Sequence, residues 1–249
     1  MADSVAGVVL AAGAGTRLHP LTRLRPKALC PLGDRPLVDH ALERFDAVTS
    51  SIAVNVHFHR DLLESHLAGR VHLSFERARP LGTGGALGHL HDWIDGRPVL
   101  LVNADTWCPA PVDALLDGWD GTRIRIQVAG AARFAAGVTV AAALLPWRDV
   151  ATLPDEPCGI TPTWFRADAE GRVETLRLDD AVPCMDCGTP RAYLDANLEW
   201  SGGESVVGRG ATVDGEIDRC VLWPGAVVHA GERLERAIRA HEHLTVLVR

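Results

Sequence analysis

The sequence predicts an α/β fold built on a doubly wound, mostly parallel sheet, followed by a short tail of different character. Three observations carry this. Short, valine-rich apolar runs alternate with segments of helical spacing through residues 5–103. A glycine-rich turn follows directly on the first of those runs, at the place where open α/β sheets bind ligands. After Ser201-Gly202-Gly203 the pattern changes to glycine, valine and small residues recurring about every six positions.

Val5 to Leu10 is wholly apolar, as suits a strand buried on both faces. Leu37, Val38, Ala41, Leu42 and Phe45 lie on one side of a helix over Pro36–Phe45. Ser51–Val56 predicts a second strand, Arg60–Ala68 a second helix, and His72–Phe75 a strand by its alternation. Thr83–Asp92 is helix-like and Pro98–Asn103 is another buried strand. Arg123–Val128 and Val138–Leu145 follow as strands, with Leu176–Asp180 as the last strand and Pro190–Leu198 as a helix. The tail reads as a β-helix-like appendage with room for about two coils, so the expected units are residues 1–200 and 201–249.

The chain has 249 residues with 25 basic against 32 acidic side chains, a net charge of −7. That balance argues against a general nucleic-acid or membrane-surface binder, which needs a basic face. No apolar run approaches the roughly 20 residues that span a bilayer, and Met1–Ser4 lacks the basic start of a targeting signal. Six cysteines in a chain this long are not a disulfide scaffold. The expectation is a cytoplasmic protein acting on small molecules.

The most informative stretch runs from Val9 through Gly13-Ala14-Gly15-Thr16-Arg17-Leu18 to Pro26-Lys27-Ala28-Leu29. Small residues there let backbone N–H groups approach a phosphate. Arg17 adds a forked cation, and Lys27, the only lysine of the chain, a compact one. A Walker A loop is excluded because Thr16-Arg17 follows Gly15, and the dinucleotide fingerprint fails because position 18 is leucine. Val99 to Asn103 delivers Asp105 to the end of a buried strand, where a carboxylate can hold a hard cation against phosphate oxygens. Read alone, that aspartate also fits a helix N-cap or a turn. Leu81-Gly82-Thr83-Gly84-Gly85-Ala86 opens a helix with Thr83 as its candidate cap.

The run Leu-Ala-Ala-Gly-x-Gly-Thr-Arg-Leu-x-Pro-Leu-Thr, then Pro-Lys-x-Leu-x-Pro, resembles the sugar-1-phosphate nucleotidyltransferases. Asp186-Cys187-Gly188-Thr189-Pro190 resembles that family's Asp-x-Gly-Thr-Pro, and Gly82-Thr83-Gly84-Gly85-Ala86 its Gly-Thr-x-Gly-Ala element. The resemblance implies a Rossmann-like nucleotidyltransferase domain over residues 1–200 and a left-handed β-helix-like tail. It implies an NTP and a sugar 1-phosphate as substrates, with Arg17 on the β- and γ-phosphates and Lys27 on the α-phosphate. Asp105 and Asp186 would then hold Mg²⁺, making Arg17, Lys27, Asp105 and Asp186 the catalytic set. Leu10, Ala12, Gly13, Gly15, Thr16, Glu76, Gly82, Thr83 and Asn103 would line the nucleotide site.

The acceptor region between Asp105 and Asp186 is short and has no lysine, so Arg125, Arg133 or Arg166 would have to replace one. Gly137-Val138-Thr139-Val140 is the candidate remnant of the acceptor strand. The tail resembles that of mannose-1-phosphate guanylyltransferases, and the compact main unit resembles the N-acetylmuramate 1-phosphate uridylyltransferase. The guanylyl reading is the one preferred from the tail. A small non-sugar phosphate acceptor and a catalytically silent nucleotide-sugar-binding homologue are the alternatives. A homo-oligomer is compatible with all of them. Cys184 and Cys187 form a C-x-x-C without a second pair at zinc spacing, and His57 with His59 lack a third ligand. Neither pair is read as a metal site.

Overall fold

The computed structural model describes residues 4–248; Met1–Asp3, part of the N-terminal stretch read for targeting, lie outside them. The sheet strands are β1 (Ala6–Leu10), β2 (Ile52–Val56), β3 (His72–Phe75), β4 (Val99–Asn103), β5 (Ile124–Ala129), β6 (Thr139–Leu145) and β7 (Val173–Arg177). They lie side by side in the order β7-β5-β6-β4-β1-β2-β3. β6 runs antiparallel to both β4 and β5, and every other pairing is parallel. The predicted mixed α/β sheet is therefore present.

The longer helices are α1 (Leu37–Glu43), α2 (Arg60–Leu67), α3 (Gly82–His89), α4 (Thr161–Ala169) and α5 (Pro190–Trp200). One apolar cluster joins Val9, Val54 and Leu100 to Val38, Leu42, Leu63 and Leu67 of α1 and α2. A second joins Val8, Ala53 and Leu101 to Leu87, Trp164 and Ala167 of α3 and α4 on the opposite face. Adjacent strand residues thus serve opposite faces, which is why these strands read as unbroken apolar runs.

Two elements differ from expectation. α4 was not anticipated: it follows a proline-containing loop, and only Thr163, Trp164 and Ala167 of its residues are buried. β7 begins at Val173 rather than Leu176, because this edge strand is half-buried as far as Leu176 and carries Glu174 and the exposed Arg177. Its charges break the alternation that marks a half-buried strand.

In the tail, Val206–Val207 pairs in parallel with Val221–Leu222, which pairs with Ala237–Arg239. Thr212–Val213 stacks on Val227–Val228, and Glu216–Asp218 on Arg233–Glu235. Trp223 of the tail is wholly buried in a third cluster, with Leu18, Leu32, Tyr193 and Ile238. Its indole N–H donates to the Tyr193 hydroxyl at 3.0 Å, and that hydroxyl donates to the carbonyl of Pro31. The tail is thereby tied to the segment that begins at Lys27. No helix among the described residues is long and apolar enough to cross a membrane.

Candidate active site

β1 sits where the chain reverses direction across the sheet, between β4 on one side and β2 on the other. Such a switch point opens a crevice beyond the strand ends. Leu10 and Asn103 are register partners there, so the glycine-rich loop and Asp105 emerge side by side. The Ala104 N–H donates to the Leu10 carbonyl at 3.0 Å and locks the two exits together.

Gly15 has a φ of 61°, in the left-handed region that L-residues rarely adopt. A Cβ there would lie 2.9 Å from Thr22 Cγ2 and 3.1 Å from Lys27 Cβ. Glycine thus permits both the turn and its closure onto the segment carrying Lys27, and Thr22 Oγ1 fastens it by donating to the Gly15 carbonyl at 2.9 Å. Gly13 opens on empty space. A cavity of about 200 Å³ follows, lined by Gly13, Gly15, Thr16, Arg17, Lys27 and Asp105.

Lys27 is almost completely buried, yet its ammonium reaches two carboxylates. Nζ lies 2.7 Å from Asp105 Oδ2 and 3.3 Å from Asp186 Oδ1. Arg17 Nη2 lies 3.2 Å from Asp186 Oδ2. Asp186 comes from a short ribbon in which Met185–Asp186 pairs antiparallel with Thr106–Trp107. Residues distant in sequence are thereby joined: the four expected catalytic side chains form one ionic chain. The carboxylates are 41% and 48% exposed, so their oxygens are open to the crevice while the lysine stem is not.

Gly188 makes this arrangement possible, since a Cβ there would stand 2.6 Å from Arg17 Nη2 and 2.8 Å from Asp186 Oδ1. Gly188→Ala is expected to push Arg17 off Asp186. Both blocking atoms are ends of flexible, exposed side chains, so the melting temperature should move by only a few degrees while kcat/KM falls about tenfold or more, the consequence of a small misplacement of positioning groups. Unchanged kcat/KM would show that the Arg17–Asp186 geometry is dispensable.

The second glycine-rich element has another explanation than the one read from sequence. A Cβ at Gly84, Gly85 or Gly88 would come within 2.8 Å of Cys158 Sγ, 2.2 Å of the Glu156 carbonyl or 2.1 Å of the Pro154 carbonyl. These glycines seat the chain of residues 154–159 against α3. Thr83 does not cap the helix; its Oγ1 accepts from the Ile160 N–H at 2.8 Å. Gly82 and Thr83 still border a cavity of about 190 Å³ with Leu10, Ala12 and Asn103.

Glu76 is buried, with both carboxylate oxygens engaged. Oε1 accepts from Asn55 Nδ2 and Oε2 from the Leu81 N–H, each at 2.7 Å. Asn55 Oδ1 in turn accepts from the Ala11 N–H at 2.7 Å. Through Asn55, which lines the cavity beside Gly82 and Thr83, Glu76 braces its wall. Sequence reading missed Asn55, an amide inside an apolar strand whose only signal is its polarity at a buried position.

On the other side of Asp105 lies a cavity of about 430 Å³, walled by Thr106, Val138, Thr139, Val140, Thr161 and Trp164. The Val138–Val140 segment, the candidate acceptor remnant of the sequence, forms part of this wall. The arginines are elsewhere: Arg125 is paired with Glu174 at 2.9 Å, Arg133 lies 3.9 Å from Asp168, and neither they nor Arg166 line the cavity. Cys187 is fully buried, and burial pushes its thiol up to about 12, which makes it no nucleophile. Among the described residues no cluster of three or more His, Cys, Asp or Glu forms a metal cage.

Residues 7–185 match the model of the MobA-like NTP transferase domain family. The chain is 34% identical over 229 residues to the N-acetylmuramate alpha-1-phosphate uridylyltransferase of Caulobacter vibrioides, covering 76% of this chain and 94% of that one. It is 32% identical over 136 residues to the mannose-1-phosphate guanyltransferase of Saccharomyces cerevisiae, covering 49% of this chain and 38% of that one. The structure of a Bacillus anthracis protein described as a glucose-1-phosphate thymidylyltransferase superposes with a TM-score of 0.68 at 16% identity, over 78% of this chain and 94% of that one. That superposition shows a common fold. The family match spans the sheet, the glycine-rich loop and Asp105, ending one residue before Asp186, and the chain belongs to the MobA-like NTP transferase family.

Proposed function

We propose that this protein transfers a nucleoside monophosphate from an NTP to a sugar 1-phosphate, releasing pyrophosphate and forming an NDP-sugar. The observation that carries the reading is the Lys27 ammonium held between Asp105 and Asp186 at the foot of a glycine-rich loop. Both reactants are anions, so the protein's task is to gather negative charge and align it. Backbone N–H groups of residues 13–17 cradle the triphosphate, Arg17 takes the β- and γ-phosphates, and Lys27 takes the α-phosphate. A phosphate oxygen of the sugar 1-phosphate, entering from the Thr139–Trp164 side, attacks the α-phosphorus in line and pyrophosphate leaves.

Two exposed carboxylates a single ammonium can bridge are hard oxygen donors, and they fit a Mg²⁺ that takes its other ligands from phosphates and water. Asp105 and Asp186 would hold the ion, which would supply neutralisation of phosphate charge. Residues 1–200 are the transfer unit in this reading, and 201–249 a left-handed coil that braces it from below.

The first acceptor reading is an N-acylated sugar 1-phosphate of the muramate type, with UTP as donor. It is supported by the uridylyltransferase whose length the chain covers to 94%. GTP with mannose 1-phosphate is the second reading, supported by the guanyltransferase relative and the repetitive tail. Pyrophosphate release from UTP, GTP, ATP, CTP and dTTP against a panel of sugar 1-phosphates and phosphocholine separates them. The first reading expects release with UTP and N-acetylmuramate 1-phosphate; GTP with mannose 1-phosphate would select the second, and phosphocholine would exclude both.

A further inference from the structure

Behind the carboxylates, the same ribbon carries a second chemical group. Met185 is the register partner of Trp107, and Asp186 of Thr106. One step further along, Cys108 faces Cys184. The Cys187 N–H donates to the Asp105 carbonyl at 2.9 Å, so hydrogen-bonded pairs fall at 105/187 and 107/185. Cys108 and Cys184 are the next residues along, just beyond the paired ones, and they pack in one apolar cluster, the proximity that a disulfide requires. The two thiols are close enough to influence one another's ionisation.

Their surroundings favour sulfur chemistry. Arg44 is buried, and its guanidinium donates to the carbonyls of Ala110 and Ala141 and to Gln127 Oε1, none of them a carboxylate. A buried cation without an acidic partner favours an anion beside it. The neighbouring Cys184 thiol, then Arg44, hold the Cys108 thiol below the ordinary range against the cost of burial. Cys108, 3% exposed, and Arg44 also line a surface cavity of about 390 Å³, the side from which a small oxidant would reach the sulfur. The C-x-x-C of the sequence is misleading here. Cys187 packs into the tail-side cluster with Tyr193, whereas Cys184 packs with Cys108 and Leu178.

We propose that Cys108 and Cys184 are a peroxide-oxidised dithiol that closes to a disulfide at the base of the ribbon bearing Asp186. The Cys108 sulfur attacks one peroxide oxygen, the O–O bond breaks, and the departing hydroxide takes up a proton to become water. This leaves a sulfenic acid on Cys108. The Cys184 sulfur then attacks that sulfur, the S–O bond breaks, and water leaves with the Cys184 proton. Two thiols are oxidised by two electrons and one peroxide is reduced to two waters.

The test treats the full chain with hydrogen peroxide, alkylates remaining thiols, and maps peptides by mass spectrometry without reduction. The wild type is expected to lose two of its six free thiols and to yield a peptide pair linked through Cys108 and Cys184, reversed by dithiothreitol. Cys184→Ala should instead retain a sulfenic acid at Cys108, trapped by dimedone, and Cys108→Ser should give neither product. This readout is independent of catalysis. Six alkylated thiols after treatment, or a link that joins Cys184 to Cys187, overturns the proposal.

Discussion

Lys27→Ala is expected to reduce turnover by about 10²- to 10³-fold, the loss typical of removing one preorganised charge-stabilising donor. The chain offers no substitute, since Lys27 is its only lysine and Arg17 is engaged on the opposite edge of Asp186. Removing the ammonium also leaves Asp105 and Asp186 facing each other across the space it bridged. Their repulsion opposes binding of a triphosphate, so the Kd for NTP should rise together with the loss in kcat. The fold should persist, because Lys27 belongs to neither of the apolar clusters on the two sheet faces, which are untouched. Steady-state kinetics with thermal unfolding of the same variant checks this. Near-normal kcat in a folded Lys27→Ala protein would remove the site assignment.

Trp223→Ala is expected to be the most destabilising single change in the tail. The side chain is fully buried, stacks under the Arg25 guanidinium at 4.6 Å, and donates its N–H to the Tyr193 hydroxyl. Truncating a buried aromatic costs about 3–5 kcal/mol. In a chain of this size that corresponds to a fall in Tm of about 6–20 °C, at about 2–4 °C per kcal/mol. The consequence reaches the crevice, because Tyr193 holds the Pro31 carbonyl and Lys27 lies only a few residues before it. Loss of kcat below the new Tm should therefore accompany the loss of stability. A Tm within 2–3 °C of wild type, about the smallest shift a 1 kcal/mol change produces, would mean that the tail contributes little to this core.

The parts of the molecule legible in the sequence are those where local chemistry and global fold agree. β1, β2 and β4 are buried on both faces and read directly as apolar runs; the glycine-rich loop reads as a phosphate cradle because Gly15 needs its left-handed φ. The resemblance then placed Lys27, Asp105 and Asp186 in one site, which spacing alone does not do across so many residues. What escaped detection depends on contacts between distant segments. Gly84, Gly85 and Gly88 look like a ligand loop, yet they accommodate the carbonyls and the thiol of residues 154–158. Asn55 and Glu76 are isolated polar residues in apolar surroundings until the sheet brings them together at 2.7 Å. Cys108 and Cys184 face each other only because the ribbon pairs Trp107 with Met185, a register no sequence periodicity reports. The arginines weighed as acceptor ligands are likewise ordinary surface or structural partners once the cavity walls are known.

In the proposed reaction, the crevice between the glycine-rich loop and the two carboxylates moves a nucleotidyl group between phosphates. The most direct test uses UTP labelled at the α-phosphate with N-acetylmuramate 1-phosphate and Mg²⁺, comparing wild type with Lys27→Ala. The account predicts label in a nucleotide-sugar together with stoichiometric pyrophosphate, both dependent on the acceptor and nearly absent from the variant. Tight UTP binding with neither product, from any NTP or sugar phosphate tried in its place, would contradict the account and identify a nucleotide-sugar-binding protein that has kept the site without the reaction.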